Sequence, residues 1–463
     1  MQTVANVAQP EDGRSIEKHV ARTPPKMRGL PLLGVLPGFL RNPTQLLVNA
    51  AQTHPGEVIR LPIGPASIYL LPEPSHVQHV LSDNWRNYGK GAMWEAPRRL
   101  LGKGLVTAEG DTWVRNRRLV QPLFVPKHLA SLVDTMVQAA LEVTSDLEQR
   151  KGGTVDVAVE MTRLIQRVFL RSMFGGALSG SDAETIGTTI VDALAAINLR
   201  SFLHFLPKWF PFPGERALIG NIATIDRIVL GVVAHSREAR SDKRDLLSLL
   251  LSAHDEETGI GMDDRQLRDE LVSQFVAGTD TTAVAMTWLW HVLDAHPNVN
   301  EKLRAEIDHV LGGRSPTFED LAKLTYTKAV IQETMRLYPV GWIIPRVAEK
   351  ADEIDGFTIP AGATVLMSQY VTHRSPTYWE RPTDFDPDRF DPTSSAKRPR
   401  FAYFPFGGGP RQCIGAQLAM MMMQTMVALI VPRMRFVRAS EKPVTPQPTI
   451  TLRPKGGLNM RVM

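Results

Sequence analysis

The 463-residue chain predicts a mainly α protein with a small β portion. Two observations predict that class. Apolar residues recur at helical spacing over many stretches, most clearly at Leu267, Leu271, Phe275, Val276, Leu289, Val292 and Leu293. Strand chemistry is confined to a few short runs, such as Val58-Ile59-Arg60-Leu61 and Ile68-Tyr69-Leu70-Leu71 on either side of Gly64-Pro65. In addition, no apolar run in the sequence reaches the roughly 18 residues needed to cross a bilayer.

Taken in order, residues 1–22 read as a loose leader, because they begin polar (Gln2, Glu11, Asp12, Arg14) and lack a charged-then-apolar signal pattern. The stretch from Pro24-Pro25 to Leu36-Pro37 leads into the fold, and 23–463 is expected to form one domain, a size that large single folds do reach. Helices are expected at 43–53, 75–82, 112–120, 127–150, 155–175, 183–197, 215–240, 244–253, 264–296, 298–311, 325–337 and 416–431, with Pro339 stopping the helix before it. Strands are expected at 57–62, 66–71, 353–359 and 363–367, and Pro345-Arg346-Val347 reads as the start of another. A hydrophobic fraction of 43% is ample for a large core. The formal net charge of +5 is spread among nearly as many acids as bases, which argues against a nucleic-acid partner. His76 and His79 are read as part of a surface helix, since no third metal ligand lies near them. Gly407 to Gly409 lack the Lys-Ser/Thr ending of a phosphate loop, and Met420 to Met423 read as core packing.

The chemistry concentrates at Cys413, the only cysteine, in Phe406-Gly407-Gly408-Gly409-Pro410-Arg411-Gln412-Cys413-Ile414-Gly415. A lone thiol makes no internal disulfide, four-cysteine zinc site or iron–sulfur cluster. Glycines let backbone N–H groups crowd a sulfur, and the nearby guanidinium adds positive charge; both are expected to favour thiolate over thiol. Such a thiolate suits the proximal side of a haem iron, where sulfur donates electron density. Phe406, Gly409, Arg411, Cys413 and Gly415 together resemble the haem-binding signature of the cytochrome P-450 superfamily, the haem-thiolate monooxygenases.

Further elements follow in the order that this resemblance implies. Ala277-Gly278-Thr279-Asp280-Thr281-Thr282 lies mid-helix, where a glycine alone disfavours the helix by about 1 kcal/mol, and a widened turn is expected there. The Thr281 hydroxyl can reach the Ala277 carbonyl. By resemblance this is the oxygen-binding groove, with Ala277 and Gly278 shaping it and Asp280 and Thr281 passing protons to dioxygen. Glu333 and Arg336 share a helix face and can pair; by resemblance Arg389 in Pro387-Asp388-Arg389-Phe390 completes a structural network with them. Trp113 and Arg117 lie one helical turn apart, and with Arg346 and Arg411 the resemblance makes them holders of the haem propionates. Asn116 stands where some relatives carry histidine, and no ligand is expected there.

The resemblance implies a helix-rich triangular domain of soluble bacterial type, with haem b (iron protoporphyrin IX) between the long central helix and the cysteine loop. Its implied activity inserts one atom of O2 into a hydrophobic small molecule such as a terpenoid, fatty acid or polyketide. Electrons would come from a ferredoxin or flavodoxin-type donor with its reductase, in a cytoplasmic, monomeric protein. Arg115, Arg118, Lys397, Arg398 and Arg400 are expected to steer that donor in. Pocket walls are expected at Tyr88, Met93 and Trp94 in an 88–105 loop, at Phe275 and Val276, at Val340 and Ile343, and at Phe202 in an apolar 202–213 lid. Two other readings compete: a haem-thiolate peroxygenase or isomerase, against which Asp280-Thr281 argues, and a haem sensor without turnover.

Overall fold

The apolar stripe of 264–296 becomes a single helix, Asp264–Ala295, with the other long helices packed around it. The Asp263 carboxylate accepts the Gln266 N–H at 2.7 Å, and Asp264 follows in the first turn, both suited to the positive end of a helix. Beyond Thr282 the helix is apolar nearly all round and buried; along its whole length it packs against Val157–Phe174, Glu215–Ala239, Thr325–Leu337 and Ala416–Ile430. Burial of each large side chain there contributes about 1.5–3 kcal/mol. Trp288 stacks on Tyr338 at 4.0 Å and donates its indole N–H to the Leu452 carbonyl at 2.8 Å. The computed structural model describes residues 22–64, 66–202, 212–239, 245–255 and 257–463.

The β portion centres on one five-stranded sheet. Ile59–Ile63 and Ala66–Leu71 pair antiparallel, and Thr364–Met367 joins the latter in parallel. Ile344–Ala348 and then Tyr88–Gly89 add antiparallel. Alternation along these strands splits their side chains between two clusters: Ile59, Leu61, Leu70 and Leu366 pack with Trp342, while Tyr69, Leu71, Val365 and Met367 pack with Phe404. Both faces are therefore buried, and the sheet holds Ile344–Ala348 rigidly beside the site described below.

Several expectations need correction. The 127–150 stretch is two helices, Pro126–Ala130 and Val133–Gln149, because the Ser131 hydroxyl bonds back to the His128 carbonyl at 2.7 Å and closes the first. The 353–359 strand is a hairpin, Asp352–Ile354 with Phe357–Ile359, turning at Asp355 and Gly356 with φ 51 and 77. The 75–82 helix ends at Gln78 and continues as a π-helical turn, His79–Asp83. Ser75 and Gln78 of this helix are exposed, and His76, at 1% exposure, lies on its inner face. The 88–105 loop contains a helix, Glu95–Leu101. Four short strands near the C-terminal side, Phe436–Arg438, Pro446–Pro448, Leu452–Pro454 and Asn459–Val462, were absent from the sequence reading. Met421 to Met423 are core, as expected. Glu215–Ala239 includes a stretch long and apolar enough by composition to cross a membrane, but it packs against Gly180–Phe202 and the central helix. Residues 1–21 of the expected 1–22 leader and most of the expected lid, 203–211, lie outside the described residues, as does the side chain of Phe202.

Candidate active site

The cysteine loop is built by close backbone approach. Gly407 and Gly409 take φ values of 70 and 66, and a Cβ on Gly409 would sit 1.7 Å from the Leu81 carbonyl oxygen. A Cβ on Gly408 would meet the Phe401 ring at 2.2 Å. The Cys413 N–H donates to the Phe406 carbonyl at 2.9 Å and the Gln412 N–H to Gly409 at 3.1 Å, after which Ala416–Ile430 begins. The Cys413 side chain opens into a cavity of about 410 Å3 between this loop and the central helix. Its sulfur is accessible from that cavity yet surrounded by protein mass. Burial pushes the thiol above its ordinary value, and the Gly415 N–H and Arg117 pull it down less strongly. The expectation of a ready thiolate is thus corrected for the bare protein: a metal must displace the proton.

On the opposite wall stand Ala277, Gly278, Thr281 and Thr282. The Thr281 hydroxyl donates to the Ala277 carbonyl at 2.6 Å. No widened turn occurs; the helix runs unbroken through 277–282. Gly278 is needed for another reason, since its Cβ would lie 2.4 Å from the Phe169 ring, which packs flush there and lines the cavity. Asp280 does not face the cavity. Its carboxylate is held by Arg453 at 3.0 Å and by the Thr451 hydroxyl at 3.2 Å, on the strand Leu452–Pro454 and the residue before it.

One end of the cavity collects cations. Lys90, Arg117, Arg346 and Arg411 all line it, beside the buried Trp113. Burial and then Arg411 lower Arg346 to about 10, burial likewise lowers Arg117 and Arg411, and burial followed by Arg346 and Arg411 brings Lys90 down to about 7. Glu109 is the main carboxylate opposing them, accepting the Lys90 backbone N–H at 2.6 Å. Arg411 lies 5.4 Å over the Trp113 ring, and its Nε and Nη1 are buried with no hydrogen-bond partner among the described residues. Unpaired guanidinium N–H groups amid excess positive charge require an anion. A flat apolar group carrying two carboxylates would meet these guanidiniums and the apolar walls, with the Cys413 sulfur available in the same cavity as a metal donor. These residues fit haem.

Trp94, Val340 and Ile343 line the cavity as expected, and Phe406 and Gly415 do too, while Gly409 shapes the loop from behind. Four expected positions do not. Tyr88 is buried in the sheet with its hydroxyl donating to Asp352 at 2.6 Å. Phe275 points into the core, edge-on to Phe169 at 6.1 Å, and Val276 packs against the same core. Met93 is half-buried outside the lining. Lys90, Leu105, Val106, Phe169 and Gln274 line the cavity but were not anticipated. Lys90, between Gly89 and Gly91, offered only the hint of a lone cation in a glycine-flanked, otherwise apolar run.

Behind the cysteine loop, Glu333 and Arg336 are both fully buried and pair through two bonds of 2.7 Å. Arg389 approaches Glu333 at 3.4 Å. Arg336 also donates to the His373, Pro382 and Asp384 carbonyls, so it fastens the segment leading to the loop. Asn116 bonds the Lys103 carbonyl and Gln266, consistent with its exclusion as a ligand. The expected electron-donor patch is partly neutralised: Arg118 pairs with Asp255 and Glu257, Arg115 donates to the Gly261 carbonyl, and Arg398 lies over Trp379. Lys397 and Arg400 remain exposed.

A sequence model of the family described as cytochrome P450 matches residues 24–459. The chain belongs to the cytochrome P450 family. This P450 is 35% identical over 408 residues to cyclooctat-9-en-7-ol 5-monooxygenase of Streptomyces melanosporofaciens, covering 88% of each chain. It is 34% identical over 430 residues to cyclooctatin synthase of the same organism, covering 92% of each. The crystal structure of the cytochrome P450DA heme domain superposes with a TM-score of 0.88 at 24% identity, covering 96% of this chain and 98% of that one. The fold is the P450 fold. The protein is a haem-dependent monooxygenase that uses O2, redox partners and a hydrophobic small-molecule substrate.

Proposed function

We propose that this P450 hydroxylates or epoxidises a terpenoid, using haem b held by Cys413. The observation that carries the reading is the sulfur of Cys413 opening into an apolar cavity opposite Ala277 and Thr281, with Lys90, Arg346 and Arg411 at one end. Leu105, Val106, Phe169, Val340 and Ile343 supply apolar walls and no ionic anchor, which suits a hydrocarbon framework, and two relatives carry names built on cyclooctatin.

Each residue then has a role its geometry supports. Cys413 would hold the group through its sulfur, and Arg411, Arg346, Arg117 and Trp113 would hold its two carboxylates. Bound haem would supply the activation of dioxygen, one atom going into a C–H or C=C bond and the other leaving as water with two electrons from the redox partner and two protons. Thr281 keeps a hydroxyl at the cavity surface, where it can hold a water and hand over a proton, while apolar walls exclude bulk solvent. Asp280 stands one residue back, held off the cavity by Arg453 and the Thr451 hydroxyl. The Glu333–Arg336–Arg389 network keeps the loop in register rather than adding net stability. A ferredoxin or flavodoxin-type protein with its reductase would deliver electrons past Lys397 and Arg400 to a monomeric, cytoplasmic enzyme in a single domain from residue 23 onward.

Titration of the purified holoenzyme with a panel of terpenoids, fatty acids and polyketides tests the substrate class, because a guest that displaces water from the haem shifts its absorbance. Spectral shifts with fatty acids alone would overturn the terpenoid reading. Cys413→Ala is expected to abolish the red-shifted band of the reduced carbon-monoxide complex; retention of that band would remove Cys413 as the ligand.

A further inference from the structure

The loop Gly102–Ala108 forms the cavity wall at Leu105 and Val106, and it lies flush on the central helix because two of its residues lack side chains. A Cβ on Gly102 would sit 2.0 Å from the Asp269 carboxyl carbon, and one on Gly104 would sit 2.2 Å from the Ser273 hydroxyl. The helix side of the loop is fastened by two carboxylates: Asp269 accepts the Lys103 N–H at 2.8 Å and Glu270 the Leu105 N–H at 3.1 Å. The carbonyls of Leu105, Val106 and Ala108 are held by one side chain. The Lys90 ammonium, 6% exposed, donates to the Val106 carbonyl at 2.5 Å, to Ala108 at 2.8 Å and to Leu105 at 3.5 Å. Arg98 adds a bond to the Thr107 carbonyl at 3.1 Å.

The same ammonium faces the cationic end of the cavity. Arg346, Arg411 and Arg98 repel it and Glu109 attracts it, while Glu270, its carboxyl pushed up to about 8 by burial, lies on the far side of the loop. A buried cation among guanidiniums is held poorly until anions arrive, and the haem carboxylates received by Arg346 and Arg411 are those anions. We propose that Lys90 is a positioning residue linking cofactor and substrate wall: with carboxylates seated beside Arg346 and Arg411, its ammonium holds the Leu105, Val106 and Ala108 carbonyls in place. It acts through the loop and does not touch the reacting atoms. The wall that shapes the substrate's seat is then set only once the cofactor is loaded, which rests on the haem reading above.

Burial supports the direction of this coupling. The free protein lowers Lys90 to about 7, so near neutral pH the ammonium is only partly populated and its three charge-assisted bonds are weakened. Anions raise that population without any new contact to the loop.

Hydrogen exchange measured by mass spectrometry on the haem-free and haem-loaded protein at pH 7.5 tests the link. In the wild type, loading is expected to slow amide exchange across 103–109 by about tenfold, the equivalent of one stabilised backbone opening. In Lys90→Met that protection should fall at least threefold while protection of 406–415 on loading is kept, and Lys90→Arg should restore most of it. Lys90→Gln, which keeps N–H donors without charge, should behave like Lys90→Met. Protection of 103–109 in Lys90→Gln equal to the wild type would overturn the role of the charge. Equal protection in all four proteins would overturn the link outright, as would loss of haem uptake in Lys90→Met and Lys90→Arg alike, which would make Lys90 a direct cofactor holder. Failure of the wild type to take up haem sinks the parent reading, whereas uptake with unchanged exchange at 103–109 sinks this one alone.

Discussion

Removing the cofactor should leave a measurable trace of Lys90 in the stability of the bare protein. Burial, followed by Arg346 and Arg411, lowers this lysine from 10.5 to about 7 in the folded state, and unfolding returns it to its ordinary value. Below pH 7 both states carry the proton and the penalty of the buried charge is complete. Between about 7 and 10.5 the unfolded chain binds a proton that the folded one has released, so stability rises with pH across that window. One proton of difference amounts to about 1.4 kcal/mol per pH unit; with the folded lysine half protonated at pH 7, the gain from pH 7 to pH 9 is about 2 kcal/mol. Urea unfolding of haem-free wild type and Lys90→Met at pH 7, 8 and 9 reads this contribution together with that of Glu270, whose buried carboxyl, pushed up to about 8, loses the opposing Lys90 charge in the variant. The wild-type curve should climb away from that of the variant. Parallel curves would refute the reasoning, and a wild-type curve that falls relative to the variant would reverse its sign. In the haem-loaded protein the difference should shrink, since carboxylates beside Arg346 and Arg411 keep the ammonium charged to higher pH.

Gly278→Ala should destabilise the protein, because a Cβ 2.4 Å from Phe169 forces a ring that is 4% exposed to move, at about 1–3 kcal/mol against a helix-propensity gain of about 1 kcal/mol. Adding Phe169→Leu should recover part of the loss in a urea titration, and an unchanged loss would show that the ring is not the obstacle. Arg336→Met leaves the fully buried Glu333 with Arg389 alone at 3.4 Å in place of its two-bond partner and should lower stability by about 3 kcal/mol, with poor haem retention on gel filtration; wild-type stability would deny the network its role. Thr281→Ala should raise peroxide formed per electron pair and lower product yield, read with a peroxide assay beside product analysis, and unaltered coupling would favour a peroxide-using or isomerising enzyme.

What the sequence disclosed, it disclosed through local order. The cysteine loop and the Glu333–Arg336 pair are short runs whose residues must act together, and each appears as a unit in space. The strands at Ala66–Leu71 and Thr364–Met367 were marked by β-branched residues between turn signals. The central helix was legible as a helix, but its facing was read from family likeness where geometry could have served. At about 100° per residue, Ser273, Gln274, Ala277, Gly278, Thr281 and Ala285 share one stripe, while Phe275 lies roughly opposite Ala277. That stripe excludes Phe275 and sets Val276 and Asp280 off its centre. The restraint on Asp280 was not legible, because Arg453 is 173 residues away and sits in a strand interrupted by proline. Lys90 was hidden for the same reason: its meaning comes from carbonyls 15 to 18 residues on and from arginines far along the chain.

The strap across the outer face of the central helix has a bearing on how the molecule is made. Trp288 is tied to Leu452 and Asp280 to Arg453, partners 164 and 173 residues further along the chain. A ribosome therefore extrudes the entire oxygen-side wall long before it emits the segment that fastens it. The cysteine at 413 also precedes that fastening. Pigment insertion should accordingly be a late event, belonging to chains released from translation, and nascent chains stalled before residue 450 should emerge colourless even when haem is plentiful.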